Sequence, residues 1–131
     1  MFDVSRFALR IKLYKFADQA VFIQALLCEL LNKNGSATVV QGYCTAYGES
    51  CYHVWVEDDK GVVADLVQFL FPEYQNVSLT KEPIEGAQKD QLTVDLYELY
   101  KSDPKEFWKK ASKKFLDFRA KCHTQVSKSS R

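Results

Sequence analysis

His53 is the residue whose setting points most directly to chemistry. It stands in the run Cys51-Tyr-His-Val-Trp-Val-Glu, rich in β-branched and aromatic residues, with Trp55 two positions on and therefore on the same strand face. Asp65 lies in Val62-Val-Ala-Asp-Leu-Val, a carboxylate in an otherwise apolar run. It must find a donor there, because an unpaired buried charge is costly. If the two runs pair about the turn Asp58-Asp-Lys-Gly, Asp65 comes near His53. An imidazole oriented by a carboxylate is the base–orienter half of a nucleophilic triad: the Asp fixes the tautomer and the imidazole moves the proton. The plainer reading is a satisfied structural histidine on a strand. His123 falls past the expected end of the last helix, beside a Ser/Lys tail, and reads as inert.

A triad also needs a nucleophile, best placed at a helix N-terminus, where backbone amides and the macrodipole lower a thiol's pKa. The cysteines are Cys28, Cys44, Cys51 and Cys122. Cys28 lies well inside a helical run. Cys51 shares a strand face with His53, and a hairpin would set Cys44 across from it. Each also has an ordinary reading as a small buried hydrophobe. There is no CxxC pair, and Cys44, Cys51 and His53 match no closed zinc-site spacing, so no metal is expected. No organic cofactor is expected either. Without a secretory signal a disulfide framework is not expected.

The elements that must hold these residues are legible. Residues 4–16 fit a short amphipathic helix. A second helix over about 19–33 has Asp18 as its cap and Asn34-Gly35 as its stop, and it is apolar on nearly every face, which makes it central and buried. Ala37–Thr45 and Cys51–Glu57 read as an antiparallel hairpin closed through Ala46–Ser50, and Val62–Val67 as a third strand returning beside the second. Residues 66–90, with Pro72, Pro83 and Gly86, read as loop with short pieces of structure. Asp90–Tyr100 and Pro104–Lys121 read as helices. In the latter, Phe107, Trp108, Ala111, Phe115 and Phe118 form a core-facing stripe. The expected fold class is α+β: a central buried helix packed on a small antiparallel β-sheet, with additional C-terminal helices.

Composition bounds the rest. At 131 residues, 47% hydrophobic and 27% charged, the chain reads as one globular domain, residues 1–131. A net charge of +1 supplies no overall field toward nucleic acid or membrane. The longest apolar run, Val21–Leu31, is broken by Gln24 and Glu29 and is far short of the roughly 20 residues needed to span a bilayer. The first residues carry charge where a secretory signal carries apolar ones, so a cytoplasmic location is expected, with export by another route left open. Charge is uneven: Pro104–Arg131 holds nine Lys/Arg against two Asp/Glu, a net of +7, and the preceding part nine against fifteen, a net of −6. The basic helix over 104–121 is either a dock for an acidic partner or the solvated face of a terminal helix. Nucleic acid is the weaker partner, as no nucleic-acid motif accompanies the charge.

One resemblance draws these features together. Gln19-Ala-Val-Phe opening a buried helix, Leu-Leu-Asn-Lys-Asn-Gly at its end, Val39-Val-Gln-Gly-Tyr, His53-Val-Trp-Val-Glu and Val63-Ala-Asp65-Leu occur in that order. The series resembles the transglutaminase-like superfamily of papain-type folds over residues 17–67. That resemblance implies a Cys-His-Asp triad with His53 as base and then acid, Asp65 as orienter and the nucleophile at position 20. Gln19 would shape the turn beside the oxyanion, held by first-turn amides at about 3 kcal/mol per donor. Tyr52 and Trp55 are the candidates for contact with a protein or peptide substrate. Water as second substrate gives a peptidase or deamidase, and an amine gives a transamidase. Position 20, however, is alanine, so the chain as written cannot form a thioester there; Thr38 and Val54 also stand where the family usually has Arg and Ala. Two explanations stand: a natural pseudoenzyme that keeps the fold for protein interaction, or a Cys→Ala variant of an active thiol enzyme. The intact surroundings (Asp18, Gln19, Phe22, His53 and Asp65) favour the second.

Overall fold

A computed structural model describes residues 3–16, 19–33, 35–64, 66 and 77–129, with side chains to Thr124. The elements run α1 (Val4–Leu13), α2 (Ala20–Leu31), β1 (Ala37–Ala46), β2 (Glu49–Asp58), β3 (Val63–Ala64), β4 (Ser78–Thr80), α3 (Gln91–Ser102), α4 (Pro104–Lys109) and α5 (Lys113–Ser129). The antiparallel sheet has the order β3-β2-β1-β4, so the hairpin lies at its centre. The fold is α+β, with the apolar helix α2 packed on the sheet. Among the described residues no helix is long and apolar enough to cross a membrane.

Helix α1 starts where the Asp3 carboxylate accepts from the Arg6 N–H at 3.2 Å, and it buries Phe7, Ala8 and Ile11. It ends at Leu13, short of the expected residue 16. Lys15 turns left-handed at φ 62°, its N–H bonding Lys12 O at 3.1 Å while the Phe16 N–H bonds Ile11 O at 3.0 Å. That closure ends the helix and drops Phe16 into the core.

Helix α2 buries nine of its twelve residues, as its uniform apolarity requires. Gln19 is its N-cap and makes no side-chain cap bond; the expected cap, Asp18, lies outside the described residues, as does Asn34. The helix stops at Leu31 rather than about 33. Asn32 does the stopping: its Nδ2 donates to Ala37 O at 3.2 Å and its Oδ1 accepts from the Ala37 N–H, tying the helix end to the first residue of β1.

The hairpin is tighter than expected. Both strands run to a two-residue turn, Tyr47-Gly48, at φ 53° and 78°, the pair of positive values that suits the right-handed twist of the strands. Past β2, the Asp58 carboxylate accepts from the N–H groups of Lys60 and Val62, both at 2.9 Å, which forms the expected turn. Of the expected third strand, Val63 and Ala64 among the described residues pair with Glu57 and Val56, and Leu66 beyond them is fully buried. Asp65 and Val67 lie outside the described residues. Strand β4 is one of the short pieces of structure expected within residues 66–90. It pairs with Tyr43–Thr45 as an edge.

The C-terminal part also departs from expectation. The run read as a single helix over Pro104–Lys121 is two, α4 and α5, separated at Lys110–Ser112. Ser112 Oγ accepts from the Phe115 N–H at 3.1 Å, so a fresh cap restarts the helix. The aromatic stripe survives the break, with Phe107, Ala111, Phe115 and Phe118 buried. Phe115 packs edge-on to Phe16 at 5.0 Å, and Phe107 lies 4.6 Å from Phe22 of α2.

Candidate functional site

Strand alternation sorts β2 into two faces. Tyr52, Val54 and Val56 face the core in which α2 lies, whereas Cys51, His53, Trp55 and Glu57 face the other way. His53 is half-buried with its Nε2 shielded from solvent, and its ring stacks with that of Trp55 at 6.1 Å and 24°. The expected sharing of a face by His53 and Trp55 is therefore met. Tyr52 and Trp55, paired as substrate contacts in the sequence reading, lie on opposite faces.

Trp55 is held by Gly42 and by Glu57. Its indole ring lies over Gly42 of β1, so closely that a Cβ there would sit 2.3 Å from Cη2 and 2.4 Å from the Thr80 carbonyl oxygen of β4. Its Nε1 donates to Glu57 Oε2 at 2.8 Å. Glu57 in turn meets Lys81 Nζ at 2.9 Å. Burial pushes the Glu57 carboxyl up, but the hydrogen bonds from Lys81 and Trp55 outweigh it and leave the pKa lowered. On the core face, Tyr52 is pushed up to about 12 by burial and the tyrosines and Glu98 around it, and its hydroxyl donates to Gln41 Oε1 at 2.9 Å.

Ala20 is the first residue of α2 and is half-buried beside Gln19. A side chain there stands at the amide end of a buried helix, where a thiol would be stabilised as thiolate. One turn on, Gln24 is buried and its Oε1 has no hydrogen-bond partner among the described residues. The helix body lies on the Val54/Val56 face of the sheet, and the His53 ring lies on the other. Asp65 falls outside the described residues.

The native thiols are placed differently from position 20. Cys28 is buried two turns along α2, its Sγ 3.3 Å from Ala37 O, and burial pushes its pKa up. Cys122 is buried in α5 and also pushed up by burial, with Arg10 opposing. Cys51 is exposed and Cys44 half-buried, directly opposed in the β1–β2 ladder on the His53 face. Among the described residues no three His, Cys, Asp or Glu side chains converge to hold a metal ion.

His123 corrects its sequence reading. It lies within α5, which runs on to Ser129, and its Nε2 meets Glu29 Oε2 at 2.6 Å. Arg119 grips the same carboxylate through Nε at 3.0 Å and Nη2 at 2.8 Å, and its guanidinium stacks over Trp108 at 4.0 Å from the ring centre. The three residues pin the terminal helix to α2. The signal was the lone acid Glu29 in an apolar helix, which needs a cationic partner from elsewhere in the chain. The remaining basic residues of α4 and α5 up to Lys121 are solvent-exposed except Arg119.

The geometry thus defines a mixed α+β domain with a buried helix opening on position 20 and a His–Trp pair on the central hairpin. Comparisons with family models, with curated proteins and with solved structures return no match.

Proposed function

We propose that the chain carries a transglutaminase-like acyl-transfer architecture in which position 20 is the nucleophile seat. As written it holds a protein or peptide chain without turning it over. The observation that carries this reading is that position 20 is the first residue of a buried helix, followed in order by a hairpin bearing mid-strand His53. With cysteine at position 20, the thiolate would attack an amide carbonyl and expel an amine, leaving a thioester that water or a second amine resolves. The resemblance assigns the base to His53 and its orientation to Asp65. His53 stands on the sheet face turned away from α2, so its part in deprotonating a thiol at position 20 is what the His53→Ala arm of the test decides.

The test is the pH dependence of alkylation of the Ala20→Cys protein under reducing conditions, with the four native thiols as internal references. An introduced thiol that reacts ahead of exposed Cys51, with an apparent pKa well below about 8.5, and that loses this advantage in the His53→Ala background, supports the reading. Reaction no faster than Cys51 overturns it.

A second reading is a non-catalytic interaction module, favoured by one observation. The His53 and Trp55 rings stack on the sheet face turned away from α2. It expects no activated thiol in Ala20→Cys. It also expects His53→Ala to alter the capture of a partner peptide or the stability of the hairpin.

A further inference from the structure

Cys44 and Cys51 face one another across the hairpin. They are direct partners in the β1–β2 register, so their side chains emerge on the same face. The hydrogen bonds around them define the kind of pair. The Tyr52 N–H donates to Gln88 O at 2.7 Å, and the Gln88 N–H donates to Ser50 O at 3.0 Å. Ser50 and Tyr52 therefore turn these groups away from β1, and Cys51 turns its own toward Cys44. Residues paired in that way have Cα atoms about 5.5 Å apart. A disulfide closes across roughly 4.4–6.8 Å. The Cα spacing admits a bridge. The Cβ atoms of a hydrogen-bonded pair stand at the wide end of about 4.5–5.5 Å, against roughly 3.5–4.5 Å in a relaxed disulfide, so closure draws the strands together and leaves a strained, easily reduced bond.

Access differs among the four thiols. Cys51 is exposed and Cys44 is half-buried, whereas Cys28 and Cys122 are buried with pKa values raised by burial. No other pair of cysteines is opposed in the sheet register.

We propose that Cys44 and Cys51 are a modification site: a cross-strand dithiol that closes reversibly to a disulfide with a small two-electron oxidant, a peroxide or a low-molecular-weight disulfide. With hydrogen peroxide, the Cys51 thiolate attacks one oxygen, the O–O bond breaks, and a sulfenic acid forms while the departing hydroxide takes up the proton the thiol had shed and leaves as water. Cys44 sulfur then attacks Cys51 sulfur, the S–O bond breaks, and a second water leaves with the thiol proton. Two thiols are oxidised to one disulfide and the peroxide is reduced to two waters. With a small disulfide, Cys51 displaces one thiol and Cys44 displaces the second. The bridge would lock the ladder two residues from the row in which Gly42 pairs with His53.

The experiment uses the full chain, reduced and then exposed to hydrogen peroxide or to oxidised glutathione. Remaining thiols are alkylated after unfolding. No Lys or Arg lies between Lys33 and Lys60, so one tryptic peptide, residues 34–60, carries Cys44 and Cys51 and no other cysteine. The expected result is that this peptide loses two hydrogen masses and takes no alkyl group, while Cys28 and Cys122 are alkylated. After cleavage at Glu49 its halves stay joined until a reductant is added. Moving the thiol to the other face of β1, with Cys44→Ser and Thr45→Cys together, should abolish closure. Alkylation of both cysteines after oxidation, a glutathione adduct left standing on Cys51, or equal closure in the Thr45→Cys control would each overturn the proposal.

Discussion

The indole of Trp55 presses against Gly42 on the neighbouring strand, and the Thr80 carbonyl bounds the same space. This contact joins β2, β1 and β4 into one unit beneath His53. Glycine stands there because any Cβ would overlap both neighbours. Gly42→Ala should therefore cost about 3 kcal/mol, the upper part of the range for overpacking, and urea unfolding followed by Trp fluorescence would read it. Shrinking the ring with Trp55→Leu should recover only part of the loss, since the Thr80 backbone cannot retreat. A near-neutral Gly42→Ala would mean that the ring does not rest on this position.

Glu57 links that tryptophan to Lys81. Its folded-state pKa is lowered from the ordinary 4.5, so the unfolded chain binds the proton more readily. The stabilisation is thus complete above the unfolded value and is lost as pH falls through the folded one. The stability gap between the parent and Glu57→Gln should be constant from pH 7 to about 6 and narrow progressively below about 4.5. Paired urea titrations across that range check it, and a gap that widens in acid would contradict the sign.

Glu29 joins the central helix to the terminal one through Arg119 and His123. The side chains are only partly exposed, 25% for Glu29 and 32% for Arg119, so water screens the pair incompletely. A double-mutant cycle between Glu29→Gln and Arg119→Leu should return a coupling of about 1 kcal/mol. Glu29→Gln should also raise hydrogen exchange along Lys113–Ala120 before the rest of the chain is affected. Zero coupling, with unchanged exchange, would leave α5 held by its aromatic stripe alone.

Among the described residues two non-glycine positions occupy left-handed backbone, Lys15 after α1 and Tyr47 in the hairpin turn. Such a conformation costs a side-chain-bearing residue about 1 kcal/mol. Lys15→Gly and Tyr47→Asn should each raise the unfolding midpoint by an amount corresponding to about 0.5–1 kcal/mol, the second because Asn-Gly is the preferred pair for this turn. Thermal unfolding of the two single variants and their combination tests this. Each effect is confined to its own turn, one after α1 and one between β1 and β2, so the two should add.

Much of the fold was legible because periodicity and punctuation are local. The apolar run of α2, the β-branched strands about Tyr47-Gly48 and the Asp58 turn each carry their signal within a few residues. Sharing of a face by His53 and Trp55 follows from a spacing of two, and the core stripe from Phe107 to Phe118 follows from helical spacing. The chemistry available at position 20 is likewise a matter of residue type, since alanine carries no nucleophile.

Other features depend on which surfaces meet, and no local pattern encodes that. Ser112 reads as one more polar residue in a helix until its hydroxyl caps a new one. Ser78–Thr80 is too short to show a period and becomes a strand only because β1 has an open edge to pair with. The separation of Tyr52 from Trp55 follows from their odd spacing, but which of the two faces α2 covers, the one bearing Val54, is decided only by packing. The grip of Arg119 and His123 on Glu29 joins residues more than eighty positions apart, because a carboxylate in an apolar helix is stable only where the fold brings cations to it.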